Sequence, residues 1–361
     1  MVTKRVKAEI GVKFLIVISL VTVLLLYINP SKAISQEKEI SITFSGDILP
    51  HTSLYEKNKS NNGYDFSETF KGISPLLEGD INLCHLETVL SKNKPSSYPI
   101  FSSPIELADA IKLSWEGCSG ASNHTLDKGI KGVISTKKIF QKLNLPLAGT
   151  KISPQDDPIS YYNLPDGHTL AYLAYTYGTN GIKVPKENPE IVNIISYGKI
   201  KKSILEAATK ADLVILYLHW GNEYQENPST QQRVLANKLL ALPELNAIVG
   251  SHVHVLQPAE IINSKPVAYG LGNLWSGQGP WSGQPKGQIG AILKLNFTYN
   301  QEKKRYEYTK GEINPTITLS SNWRVFPALN LLKTNQHTSA CLALSSTKRL
   351  YEKVFSTPKT C

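Results

Sequence analysis

The stretch from Leu213 to Pro258 limits what this chain can fold into more than any other. Leu213-Val-Ile-Leu-Tyr-Leu218 is a continuous apolar run, the pattern of a strand buried on both faces. It ends in His219-Trp220-Gly221-Asn222-Glu223-Tyr224. Asn246-Ala-Ile-Val-Gly250-Ser251 reads as a second short buried strand and ends in His252-Val253-His254. Between the two, Thr230 to Leu242 spaces its apolar residues as a helix does. Strand, helix, strand in this order puts histidines at the C-terminal tip of each strand. Ligands bind at such tips in open α/β sheets, and neutral imidazole is the commonest metal ligand. In the loop after its strand, the His252/His254 pair can converge on one site.

The chain has 361 residues, enough for one large or two modest domains, and 41% hydrophobic against 19% charged residues excludes global disorder. The first segment stands apart. Lys4, Arg5, Lys7 and Lys13 precede an apolar run from Phe14 to Ile28, broken by Ser19 and Thr22. A basic flank followed by such a run predicts export. Ser31-Lys32-Ala33 offers small residues for cleavage of a signal peptide, and an uncleaved anchor with a cytoplasmic N-terminus is the other reading. Both place the rest of the chain in the cell envelope or outside the cell. Of the formal net charge of +10, residues 1–33 hold five basic residues against Glu9, so the remainder carries +6. That excess suits an anionic polymer or a membrane surface. No lysine- and aromatic-rich element points to nucleic acid. Outside the cytoplasm disulfides are permitted. Cys341 and Cys361 both lie in the tail and can close it. Cys84 and Cys118 each fall in a predicted strand, as buried small hydrophobes or a cross-strand pair rather than metal ligands.

The expected organisation is an export segment over 1–33, a linker over 34–39, a domain over 40–314 and a C-terminal extension over 315–361. Ile40 to Phe44 alternates as a first strand and runs into Gly46-Asp47. Asp80 to Leu86 is a second strand ending at Glu87. Trp115 to Ser122 holds a third and leads into Asn123-His124-Thr125-Leu126-Asp127. Helical patterns separate them, which predicts βαβ units and a largely parallel sheet. His51 to Ser67 reads as a loop. From Pro158 the pattern changes to hairpins, over Tyr161 to Tyr175 and over Ala259 to Tyr269, with a long loop from Tyr177 to Asn193 framing a cleft. Ile289 to Tyr299 and Arg305 to Ile313 read as an antiparallel pair. Collected in order, the polar strand ends are Asp47, Glu87, Asn123-His124, His219, His252 and His254. Two carboxylates, an amide and several imidazoles suit Mn²⁺, Zn²⁺ or Fe rather than Ca²⁺.

These motifs, together with Gly250-Ser251 and Tyr269-Gly-Leu-Gly-Asn273, resemble the CapA-type family of poly-gamma-glutamate capsule biosynthesis proteins over roughly Ile40 to Tyr299. The resemblance implies a mixed α/β fold, a four-layer α-β-β-α metallophosphatase-like double β-sandwich. It implies one or two divalent ions, with Glu87 bridging, Asp47 and His254 on one, and Asn123, His219 and His252 on the other. His124, steadied by Asp127, would be the acid, and Trp220, Glu223, Tyr224 and Asn273 would line the substrate. The activity implied is metal-dependent hydrolysis, through a metal-activated water, of a phosphorylated or glutamyl envelope substrate, beside a membrane polymer synthase. The alternative is a non-catalytic accessory protein that binds the polymer. Two positions depart from the pattern. Leu49 stands where metallophosphoesterases carry a His two residues after the first Asp, and His85 stands where the family has Asn. The first ion's seat is therefore weak, empty, or completed by His51 or His85.

Overall fold

Strand alternation decides how the chain divides. In the computed structural model, which describes residues 38–361, Glu39–Leu49 (β1), Ile81–Leu86 (β2), Gly117–Ser119 (β3) and Leu147–Ala148 (β4) lie side by side in parallel. The export segment expected over 1–33 lies outside the described residues. Ser160–Asn163 (β5), Thr169–Thr176 (β6), Leu213–His219 (β7), Ala247–Ser251 (β8), Leu256–Ile262 (β9) and Lys265–Leu271 (β10) form a second, six-stranded sheet in the order β9-β10-β8-β7-β6-β5. The chain then returns to the first sheet with Asn273–Ser276 (β11), Ile289–Asn300 (β12), Arg305–Leu319 (β13) and Arg324–Pro327 (β14). Its order is β14-β13-β12-β1-β2-β3-β4, with β11 paired to β1. The expected parallel core, both hairpins and the β12/β13 antiparallel pair are all present. The loop expected from His51 to Ser67 instead contains a short helix, Thr52–Lys57 (α1), and a two-stranded ribbon, too brief to show periodicity.

Each central strand buries both faces, which is why the sequence shows runs rather than alternation. Ile215 and Tyr217 of β7 point into a core shared with Ile42 and Phe44 of β1 and Leu293 and Leu295 of β12. Val214, Leu216 and Leu218 point the other way, onto Ile200 and Ile204 of a helix over Tyr197–Ala207 and Leu239 and Leu240 of one over Thr230–Leu240. The first sheet's outer face packs Leu86 against Leu107 and Ile111 of a helix over Leu107–Lys112 and Phe140 of one over Gly129–Lys142. The layers therefore run helix, sheet, sheet, helix, and both parallel cores end on the same internal seam.

The four cysteines form two disulfides, Cys84–Cys118 and Cys341–Cys361. The first joins register partners on β2 and β3, which decides between the two readings left open for that pair. The second closes the tail around the helix His337–Tyr351, whose Ala340, Ala343 and Leu344 join the inter-sheet core. Tyr351 donates its hydroxyl to the Gly270 carbonyl at 2.7 Å, tying that helix to β10.

Candidate metal centre

Asp47 stands where it does because Gly46 lets β1 pass unusually close to β10 and β11. A Cβ at Gly46 would lie 2.0 Å from the Gly272 carbonyl oxygen, and Asp47 N donates to that same oxygen at 2.9 Å. The register places Asp47 beside His85 on one side and Asn273 on the other. Glu87 follows β2 directly. His219 is the last residue of β7, and its register partner Ser251 is the last of β8. His252 and His254 then turn in left-handed backbone, with φ of 94° and 59°. Such φ values cost non-glycine residues about 1–3 kcal/mol each, and strain of this kind clusters where a side chain must be aimed.

The side chains meet between the sheets. Asp47, His85, Glu87 and His219 place one ligand atom each within 4.8 Å of one another, and Glu87, His252 and His254 do the same. Glu87 belongs to both groups. His219 gathers with Asp47 in the first group and His252 with His254 in the second. Asp47 reaches the second group too, its Oδ2 lying 3.2 Å from His254 Nδ1. Asn273 Oδ1 lies 2.9 Å from the same nitrogen. Asn123 presents its oxygen at 2.8 Å from His219 Nε2, because its amide nitrogen donates to Asn180 Oδ1.

The electrostatics are those of a buried carboxylate–imidazole cluster. Burial raises Glu87 well above its ordinary value, and the charges of Asp47, Glu223 and Asp127 add to it. For Asp47 burial is again the largest influence, but the hydrogen bond with His254 and the charges of His254, His85 and His252 outweigh it and hold it low. Burial drives His85 down to about 4 and His252 to about 3. His254 alone rises, because Asp47 and Asn273 more than offset its burial. Both oxygens of Glu87 and Nδ1 of His252 are buried with no hydrogen-bond partner. Native proteins leave few such atoms. A buried carboxylate and an imidazole, both unpartnered and set among other donor atoms, are what a divalent cation needs, so the residues present fit one.

His124 sits at the edge of this centre, its Nδ1 2.7 Å from Asp127 Oδ2, which also accepts from Phe101 N. Tyr177 lays its ring 4.5 Å from that of His252. Of the four residues expected to line the substrate, two lie at the mouth. Glu223 is exposed, and Tyr224 is 38% exposed with its ring 5.8 Å from His254. The other two are placed differently. Trp220 is buried in the outer core, stacked on Tyr269 and donating Nε1 to the Tyr269 carbonyl at 3.0 Å. Gly250 leaves room for that ring, since a Cβ there would meet Trp220 Nε1 at 2.4 Å. Asn273 is fully buried and donates to Gln278 Oε1 and the Gly287 carbonyl while it holds His254. Neither side chain lies at the mouth: Trp220 packs on Tyr269, and Asn273 holds His254. Asn180 and Ser119 carried no sequence signal, one in an irregular loop and the other inside a strand three residues long.

A mixed α/β fold whose parallel strands end on a buried histidine–carboxylate centre defines the class. The particular family follows from residues 41–278, which match the bacterial capsule synthesis protein family PGA_cap, and the chain belongs to it. It is 29% identical over 286 residues to the PGA biosynthesis protein CapA of Bacillus subtilis (strain 168), covering 76% of this chain and 72% of that one. It is 28% identical over 334 residues to the capsule biosynthesis protein CapA of Bacillus anthracis, covering 87% and 80%. Among solved structures it is similar to a phosphatase from Mycoplasma pneumoniae, with 11% identity, a TM-score of 0.48, and coverage of 84% of this chain and 99% of that one.

Proposed function

We propose that this chain is an exported, metal-dependent hydrolase of the metallophosphoesterase type, acting on a phosphorylated or glutamyl envelope substrate in capsule polymer production. The observation that carries the reading is Glu87: a fully buried carboxylate, neither oxygen hydrogen-bonded, common to two clusters of donor atoms. Asp47, Glu87, Asn123, His219, His252 and His254 would hold one or two ions of Mn²⁺, Zn²⁺ or Fe²⁺. The chemistry such an ion supplies when bound is Lewis acidity and neutralisation of negative charge.

The chain's own groups do the rest. Asn180 aims the Asn123 oxygen, and Asn273 holds the His254 ring. Tyr177 screens His252 from water. His124 has Nδ1 engaged by Asp127, which leaves Nε2 to carry a proton to the leaving group. The helix–sheet–sheet–helix order suits a metallophosphatase-like double β-sandwich. The relatives' names, PGA and capsule biosynthesis, support a capsule polymer as the setting, and a membrane synthase would be the partner there. The basic excess of the chain favours such a polymer.

The test is metal content and hydrolysis together. The full chain, loaded in turn with Mn²⁺, Zn²⁺ and Fe²⁺, is assayed on bis(p-nitrophenyl) phosphate and on a γ-glutamyl anilide. Cleavage of either, abolished by His124→Ala with metal retained, supports the reading. A chain that takes up no stoichiometric metal overturns it and leaves an accessory polymer-binding role.

A further inference from the structure

The family pattern leaves the seat beside Asp47 one donor short, because Leu49 has no atom to offer. The structure places His85 there. Asp47 and His85 are register partners on adjacent parallel strands, so their side chains leave the sheet side by side. His85 Nε2 lies 3.7 Å from Asp47 Oδ1 and 2.9 Å from His219 Nδ1. Its other nitrogen is held by Ser119 Oγ at 2.6 Å, on the neighbouring strand. A metal-binding histidine is commonly fixed at one nitrogen by a second group; here the other nitrogen, Nε2, is turned to the gathered donors, against His219 Nδ1 and toward Asp47. Of the two spacings, 2.9 Å is that of donors sharing an octahedral ion and 3.7 Å is slightly wider than a tetrahedral one gives. Around an ion with bonds of about 2.1 Å, neighbouring donors lie about 3.0 Å apart in an octahedron and about 3.4 Å in a tetrahedron.

His51, the other histidine near β1, is committed elsewhere. Its Nδ1 lies 2.9 Å from the Leu49 carbonyl oxygen and 3.2 Å from Gly277 N, and its ring packs edge-on to Phe101. His51 belongs to neither group of gathered donor atoms.

We propose that His85 is a ligand of the cation at Asp47 and Glu87, taking through a neighbouring strand the role that Leu49 cannot fill. Ser119 is then the group that orients it. The inference rests on the metal-binding part of the proposed function, and the experiment separates the two. Full-length wild type, His85→Ala, His85→Phe and Ser119→Ala are loaded with Mn²⁺ or Co²⁺, freed of excess and counted for metal per chain. The Co²⁺ forms are also compared by visible absorption, and folding is checked by far-ultraviolet circular dichroism. Two ions per chain are expected in wild type and one in either His85 variant, with a changed Co²⁺ spectrum. Ser119→Ala should keep both ions at saturation but bind one of them about 10–100-fold more weakly. A folded His85→Ala chain with as many ions as wild type overturns the role of His85 and leaves the proposed function standing. A wild-type chain without metal overturns both. His85→Ala keeps the test open should the bulkier Phe fail to fold.

Discussion

Replacing Glu87 with Met separates a structural from a cation-binding reason for a buried carboxylate. Met has similar length and lacks both oxygens. Those oxygens are buried without a hydrogen bond, Oε1 lying 3.4 Å from His219 Nε2, and a buried polar group in that state costs about 1–3 kcal/mol. Glu87→Met should therefore be more stable than wild type in EDTA at pH 7. At about 2 °C per kcal/mol for a chain of this size, the gain is about 2–6 °C in Tm. The sign reverses with metal. At a hundred times Kd an ion stabilises wild type by about 2.7 kcal/mol, which the variant largely forgoes. The pH dependence follows from burial raising the Glu87 pKa above its unfolded value. Such a group contributes stability that is fully present below the ordinary carboxyl range and is lost as pH rises through the folded value. The variant's advantage in EDTA should thus shrink toward pH 4. The assay is thermal unfolding by circular dichroism, with and without Mn²⁺, at both pH values. A metal-free Glu87→Met chain less stable than metal-free wild type would refute the reasoning, since Glu87 would then be a stabilising structural group.

Three other outcomes are expected. Asn180→Ala should loosen the Asn123 amide and weaken Mn²⁺ binding about 10–100-fold by calorimetry while the Tm in EDTA stays within about 1 °C; unchanged affinity would show that Asn123 is held some other way. Cys341→Ser should cost about 3 kcal/mol in urea unfolding, the chain-entropy value for a bridge spanning 20 residues, and free alkylation of both thiols in the unreduced wild type would count against the bridge. Gly46→Ala should be among the most damaging single changes, costing more than about 3 kcal/mol, because its Cβ would lie 2.0 Å from a backbone oxygen that cannot move without displacing β11. A Gly46→Ala chain with wild-type urea midpoint would contradict that.

The strand ends were legible because the signals are local. A run such as Leu213 to Leu218 announces a buried strand, and the polar residue that stops it marks the tip. Asp47, Glu87, Asn123, His219, His252 and His254 could all be picked out this way, and the structure brings all six together. The placement of Trp220 was not legible, although its neighbour His219 does reach the centre. Which way an aromatic ring turns at a strand end depends on the space left by Gly250, on another strand. The small helix at Thr52–Lys57 was hidden because one and a half turns display no period.

By itself the sequence determined the order of the elements, the parallel core, the hairpins, and which polar residues stand at strand tips. Each of those rests on periodicity or on turn residues within about a dozen positions. Tertiary structure alone decided that Glu87 is shared by two clusters, that His85 stands beside Asp47, and that Asn180 aims Asn123. Those facts depend on register and on loops that cross between sheets. His85 meets His219 across 134 residues of chain, and Asp47 meets the His252 amide across 205. No local pattern encodes separations of that length. They are set by which faces of two sheets find each other when the core between them closes.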